Sequence, residues 1–327
     1  MNRSHTANLL EKIADEMGAE IIFEPDSYNA GGCITFANGK RLLFMNNQLG
    51  LNPSGATSVA NDKHCAAFLL KNFGYSVADE ILLRHDDPVK EHTIQVGEDF
   101  AISLGFPVIV KPRNLSKGKM VFKVNGPGQY REAVTRLFSI PRHALVQRYC
   151  PGSDYRIVVF EGEVVAAYHR SPPAIVGDGV RSIAELVCAY REQLHAKGRD
   201  VYLSMQDHRI QLSLQQGGFR SDSVLGEGEE FVLLANANLS SGGFTVDLSE
   251  SIHPSYRDLC INVTKDMGLS ICGVDLITSD ITKTISDYVI LEINATPGLR
   301  NFAALGASQD RRVHALYARV LRTLEGR

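Results

Sequence analysis

Apolar residues at helical spacing open the chain: Leu9, Leu10, Ile13, Ala14 and Met17 form one stripe, and Gly18 follows as a stop. Residues 19–23 then read as a strand. Residues 33–37 and 41–44 flank Asn38-Gly39, a hairpin signal. This small region ends near Pro53. Beyond it the pattern predicts a helix over 58–72 closed by Gly74, and a shorter one over 98–104 stopped by Gly105. Strands over 108–111 and 121–124 flank a polar loop, 112–119. A helix over 128–138 and a strand over 144–149 follow, so strands and helices alternate through the middle of the chain.

Pro151-Gly152 marks the next boundary. Residues 155–160 and 163–169 flank Glu161-Gly162 as another hairpin, and 182–197 are helical. Residues 206–228 are polar and glycine-rich with weak periodicity, and are expected to form a loop. A helix over 254–267 ends at Gly268. Strands over 271–278 and 288–294 come next, with 279–287 as their polar connection. Val313, Leu316, Tyr317, Val320, Leu321 and Leu324 make a closing amphipathic helix. The expected division is 1–57, 58–150 and 151–327.

Two of these apolar strands carry polar residues where burial should exclude them. Side chains on a strand alternate faces, so Glu292 and Asn294 point the same way. A carboxylate and an amide oxygen so placed suit a hard cation such as Mg²⁺, and taken alone they read equally as a strand end that carries polar residues. Asp275 sits alone in its strand and needs a partner, because a buried charge is costly. A metal shared by Asp275, Glu292 and Asn294 would supply one.

Composition adds mainly exclusions. The net charge of −3 and pI near 6.4 give no reason to expect nucleic acid. Lys12, Asp15 and Glu16 interrupt any apolar core of a signal peptide, and no apolar run is long enough to span a membrane. The six cysteines are scattered without a C-x-x-C pair, so buried free thiols in a reducing cytoplasm are expected.

Basic residues cluster around the second region. Lys111 ends an apolar strand and leads into Arg113-Asn114-Leu115-Ser116-Lys117-Gly118-Lys119. Small residues there let backbone N–H groups approach phosphate, and lysine adds a compact charge. The loop lacks Walker spacing and by itself also reads as a solvated basic turn. Asp62 is placed to cap a helix beginning at Lys63, and Lys63 alone reads as a surface lysine. Arg156 follows Asp154 and is expected to be its ion-pair partner. Arg300 follows a Pro-Gly turn beside the acidic strand, where a cation next to a metal implies an anionic ligand.

In this order the pieces resemble the ATP-grasp superfamily of carboxylate–amine ligases: Asn61-Asp62-Lys63, Val-Ile-Val-Lys111-Pro, Leu-Val-Gln147-Arg-Tyr-Cys-Pro-Gly, Asp275, and Glu292-Ile-Asn294-Ala-Thr-Pro-Gly298. Within it the chain is similar to the ligase domain of cyanophycin synthetases and the related part of bifunctional glutathione synthetases. Asp154-Tyr-Arg156, His169-Arg170-Ser-Pro-Pro, Val176-Gly-Asp-Gly179, Asn236-Ala-Asn238-Leu-Ser240-Ser-Gly-Gly243 and Pro297-Gly-Leu-Arg300 carry that likeness, over roughly 58–302.

The resemblance implies an α+β fold with two α/β subdomains sandwiching ATP, preceded by a short N-terminal α/β region. It implies two Mg²⁺ ions, with Mn²⁺ as a substitute, between Asp275, Glu292, Asn294 and the phosphates. Lys63 and Lys111 would meet the phosphates under a loop containing Ser116, Lys117 and Gly118. The hinge Gln147, Arg148 and Tyr149 would lie beside adenine, with Asp154, Arg156, Asn238 and Ser240 also on the nucleotide side. Arg170 and Arg300, with Lys111, would serve the transfer of a phosphoryl group to a carboxylate, and an amine would then displace phosphate. The implied partners are small-molecule or peptide acids and amines, with no nucleic acid or membrane; a homo-oligomer stays open.

Three departures qualify this picture, one of them a phosphate loop poorer in glycine than usual. Superfamily members usually carry a glutamate near the start of the hinge, where this chain has Gln147-Arg148. The large accessory domains of cyanophycin synthetase have no counterpart here, so the expectation is a stand-alone ligase joining two small molecules or tailoring a peptide terminus. The competing readings are a small-molecule kinase and a nucleotide-binding module without turnover; the full set Asp275, Glu292 and Asn294 argues against the latter.

Overall fold

The structure is a computed structural model that describes residues 4–26, 30–115, 118–197, 199 and 201–327. The first helix, α1 (His5–Glu16), is capped by the Ser4 hydroxyl and buries Leu10, Ile13 and Ala14. Strands β1 (Glu20–Phe23), β2 (Gly31–Thr35) and β3 (Arg41–Met45) form an antiparallel meander. Its turn is Asn38-Gly39, with Gly39 at φ +81°.

The helix expected over 58–72 is two helices, α2 (Ser54–Asn61) and α3 (Lys63–Asn72). Asp62 breaks them with extended backbone, and its side chain accepts a hydrogen bond from Cys65 N at 3.1 Å. The cap therefore ends one helix and starts the next. Ala60, Ala66 and Leu70 of this pair pack on the C-terminal sheet described below.

The middle sheet contains β4 (Glu80–Leu83), β5 (Val108–Pro112), β6 (Phe122–Val124) and β7 (Ala144–Arg148), in the order β4-β7-β5-β6 and antiparallel throughout. Helices α4 (Lys90–Leu104) and α5 (Pro127–Phe138) cover one face around Leu83, Val108, Val110, Tyr130 and Leu137. The pattern located only the last part of α4. Its opening turns expose polar side chains, and Gly97 lies so close beneath Tyr130 that a Cβ there would fall 2.2 Å from the hydroxyl.

The larger sheet is built from β8 (Ser153–Phe160), β9 (Glu163–Ser171), β12 (Phe244–Asp247), β13 (Ile271–Thr278) and β14 (Val289–Asn294), ordered β12-β9-β8-β13-β14. Between β9 and β12 the chain makes β10 (Ala174–Val176), α6 (Ile183–Ala196), α7 (His208–Gly217) and β11 (Glu230–Val232), with a small core of their own. Helix α7 lies inside the stretch expected to be a loop. Its Leu212 joins the core of the middle sheet, while Ile210 and Leu214 join the satellite core.

One face of the larger sheet carries α8 (Pro254–Asp266) with α2 and α3; the other carries α9 (Arg300–Ala303) and α10 (Ala307–Gly326). The apolar stripe of α10 also closes the core of the N-terminal meander, through Leu316, Val320 and Leu321. Among the described residues no helix is long and apolar enough to cross a membrane. All six cysteines are free; Cys260 and Cys272 are buried and Cys188 is exposed.

Candidate active site

Strands β13 and β14 place the acidic residues together. Asp275 pairs with Glu292 across the ladder, and Asn294 lies opposite Gly273. The pairing then passes from Asp275–Glu292 to Leu276–Ile290, so Leu291 has no partner and forms a bulge. The bulge turns both Leu291 and Glu292 toward one cavity.

The neighbouring strands supply the cations. Asp154 stands opposite Arg170, and Asp275 opposite Arg156. Arg156 grips Asp275 by two bonds of 2.6 Å each, a bidentate pair. Arg170 binds Asp154 at 2.6 Å and reaches Asp275 Oδ2 at 3.0 Å. The expected Asp154–Arg156 pairing is thus replaced, because register sets the partners and sequence proximity does not. Asp275 is 2 % exposed and Arg170 5 %.

These charges hold one another in place. Burial pushes the Asp154 carboxyl up to about 6, with Arg170 opposing and Asp275 adding to the rise. Burial also disfavours ionisation of Glu292, yet Lys63, Arg156, Lys111 and Arg170 outweigh it and bring that carboxyl down to about 2. Glu292 therefore stays ionised at neutral pH.

On the facing sheet, Lys111 lies one residue before the end of β5 in a buried position and donates to Gln147 Oε1 at 2.9 Å. Burial lowers its pKa. Lys63 is no surface lysine. Its ammonium lies 3.2 Å from Glu292 and donates to the Leu115 carbonyl at 2.8 Å. Arg113 binds Asp62 through Nε at 2.8 Å and through Nη2, which fastens the loop after β5 to the start of α3.

Ser116 and Lys117 lie outside the described residues. Gly118 follows at φ +64°, and a Cβ there would fall 2.0 Å from Asn238 Nδ2. Its carbonyl accepts from Arg209 of α7 at 2.5 Å and from Asn236 at 3.1 Å. Arg209 was not singled out in the sequence, since it fell in the stretch expected to be a loop.

The two sheets close on a cavity of about 310 Å³. Its wall includes Lys63, Lys111, Gly118, Gln147, Arg148, Tyr149, Asp154, Arg170, Asn238, Asp275 and Glu292. A second space of about 570 Å³ shares Lys63, Leu115 and Glu292 with the first and adds Asn294. A third, of about 640 Å³, shares Ser58 and Asn61 with the second and runs between β3, α2, the 295–297 turn and α10.

Three expected site residues lie outside these walls: Arg156, which is committed to Asp275, Ser240 and Arg300. Ser240 belongs to a single 3₁₀ turn, Leu239–Ser241, outside these walls. The adjoining Gly242 packs near Tyr190 and Leu194 of α6, and its carbonyl accepts from the Tyr190 hydroxyl at 2.6 Å. Arg300 also lines none of the three spaces. The Pro-Gly turn leads through buried Leu299, and Arg300 opens α9 on the surface, where burial and then its charge lower the pKa of His5. Glu80 of β4, which sequence reasoning passed over, lies against Gln147.

Two carboxylates and an amide oxygen are hard donors of the kind a divalent cation takes. Among the described residues no three His, Cys, Asp or Glu side chains gather into such a group. Glu292 and Asn294 fit by chemistry and are neighbours, Asn294 Nδ2 donating to Glu292 Oε1 at 3.4 Å while Lys63 lies 3.2 Å from the carboxylate. Asp275 fits by chemistry, but its oxygens are held by Arg156 and Arg170.

Two sheets meeting over a cavity walled by paired lysines, arginines and a carboxylate–amide set are the architecture of the ATP-grasp class. The chain belongs to the RimK-like ATP-grasp family, whose domain matches residues 60–175 and 212–315. The cyanophycin synthetase of Crocosphaera subtropica is 32% identical over 268 residues, covering 80% of this chain and 30% of that protein. The bifunctional glutathione biosynthesis protein GshAB of Mannheimia succiniciproducens is 34% identical over 204 residues, covering 59% of this chain and 27% of that one. The chain thus spans less than a third of the length of these relatives. The crystal structure of a bifunctional glutathione synthetase from Pasteurella multocida shares the fold, with a TM-score of 0.55 at 24% identity, covering 90% of this chain and 41% of that one.

Proposed function

We propose that this protein is an ATP-dependent ligase that joins a carboxylate to an amine through an acyl phosphate, releasing ADP and phosphate. The observation that carries the reading is the opposition of Lys63 and Lys111 to Asp275 and Glu292 across one cavity, within a RimK-like ATP-grasp domain. Adenine lies against Gln147, Arg148 and Tyr149, and Lys111 and Lys63 meet the phosphates. Asn238 and Gly118 cover them. Glu292 and Asn294 would hold Mg²⁺, with Asp275 as a further oxygen donor of the right chemistry; two ions would bind, with Mn²⁺ as a substitute. The bound metal supplies neutralisation of charge on the transferring phosphoryl group.

The carboxylate oxygen attacks the γ-phosphorus and ADP leaves. Arg170, fixed by Asp154, stabilises the charge on the acyl phosphate without reorganising. The amine then attacks the acyl carbon, loses a proton, and phosphate departs. The acid reaches the γ-phosphate through the space that adjoins Lys63 and Glu292, and the larger cavity beyond it receives the rest of the substrate.

The test is ADP release with arrays of small-molecule and peptide acids, with and without amines. Sustained release only with both substrates supports a ligase. Release with an acceptor alone, carrying the phosphoryl group into a stable product, marks a kinase. Binding of ATP with no release across the array marks a nucleotide-binding module.

A further inference from the structure

Lys111 is nearly fully buried, yet the group its ammonium meets is uncharged: Gln147 Oε1 at 2.9 Å. Directly across the ladder from Gln147 stands Glu80 of β4. Its Oε2 accepts from Gln147 Nε2 at 2.9 Å, and its Oε1 lies 3.0 Å from His64 Nδ1 on α3. The Glu80 side chain is 7 % exposed, so its charge is little screened.

We infer that Glu80 is a positioning residue for Lys111, supplying from β4, through the Gln147 amide, the negative charge that position 147 lacks. An amide has two unlike ends. With its NH₂ donating to Glu80, Gln147 must turn its oxygen to Lys111. Without the carboxylate the amide is free to turn, and it can then present NH₂ to an ammonium. Among the charges acting against the burial of Lys111, Glu80 ranks first and Glu292 second, while Lys63 works the other way. Glu292 is already engaged by Lys63. Glu80, although it also meets His64, is thus the foremost carboxylate acting on this lysine.

The inference rests on the reading that Lys111 meets ATP phosphates, and nucleotide binding separates the two. Calorimetry with Mg-ATP is run on the wild type, on Glu80→Gln, and on the exchange Glu80→Gln with Gln147→Glu, each with a thermal melt. Wild-type protein that binds no ATP overturns the proposed function. Given wild-type binding, Glu80→Gln should weaken affinity about ten- to a hundredfold, the worth of a charged hydrogen bond. The exchange should recover most of that loss, because it places the carboxylate directly on Lys111. A Glu80 that merely ties β4 to α3 through His64 would gain nothing from a glutamate on β7. Wild-type affinity in Glu80→Gln, or an exchange no tighter than Glu80→Gln, overturns the inference. If Glu80→Gln does not fold, the exchange is compared with wild type: near-equal affinity supports the assignment and a tenfold or greater loss defeats it.

Discussion

Asp275→Asn should destabilise the metal-free protein as strongly as the loss of a core side chain. Asp275 takes two 2.6 Å bonds from Arg156 and a 3.0 Å contact from Arg170, at 2 % exposure. Asparagine offers one acceptor in place of two and turns an NH₂ toward a guanidinium. Arg170 is then left with Asp154, and Arg156 with Glu292 at 3.9 Å. Breaking one side of a buried ion pair typically costs about 3–5 kcal/mol. That is a large part of the roughly 5–15 kcal/mol that holds a domain together. Urea denaturation in EDTA at neutral pH measures the ion pairs without any metal contribution. A loss below about 1 kcal/mol, the scale of an exposed pair, would refute the buried network. The paired change Asp275→Leu with Arg156→Met should cost less than Asp275→Asn, because it strands no charge on that side.

Three further outcomes follow from the site. The Glu292 carboxyl is lowered from 4.5 to about 2, so its stabilisation is complete above pH 4.5 and is lost as pH falls toward 2. In EDTA, the stability gap between wild type and Glu292→Gln should be roughly 1–3 kcal/mol at neutral pH and close on acidification, the partial exposure of the side chain reducing it; a gap independent of pH contradicts the assignment. Lys111→Ala should weaken ATP and ADP binding by about 1.5–3 kcal/mol, and unchanged calorimetry would put Lys111 outside the site. Gly118→Ala forces a Cβ into Asn238 at positive φ, so it should displace the loop and weaken ATP binding with little change in melting temperature; wild-type affinity would show that the loop does not cover nucleotide.

Much of the acidic half of the site was legible in the sequence. Strand alternation put Glu292 and Asn294 on one side, and the lone carboxylate in an apolar run marked Asp275. Asp62 was legible as a cap, but its break between α2 and α3 depends also on Arg113, which lies far along the chain. The ion-pair partners were hidden because they follow cross-strand register: Asp154 and Arg156 are two residues apart, yet each pairs with another strand. Helix α7 was hidden because it is wedged between two cores. Ile210 and Leu214 face one and Leu212 the other, so they show no single helical stripe. Glu80 begins a four-residue strand, and nothing local connects it to Gln147 some 67 positions away.

The acyl phosphate is the central claim, and oxygen transfer tests it most directly. Once ADP release identifies an accepted acid, that acid is supplied with ¹⁸O in its carboxylate, together with the amine, ATP and Mg²⁺. Attack on the γ-phosphorus followed by displacement must carry one carboxylate oxygen into inorganic phosphate. Mass spectrometry should find one ¹⁸O in each phosphate released, matched by one amide formed. Unlabelled phosphate, or release of AMP and pyrophosphate, would contradict the account.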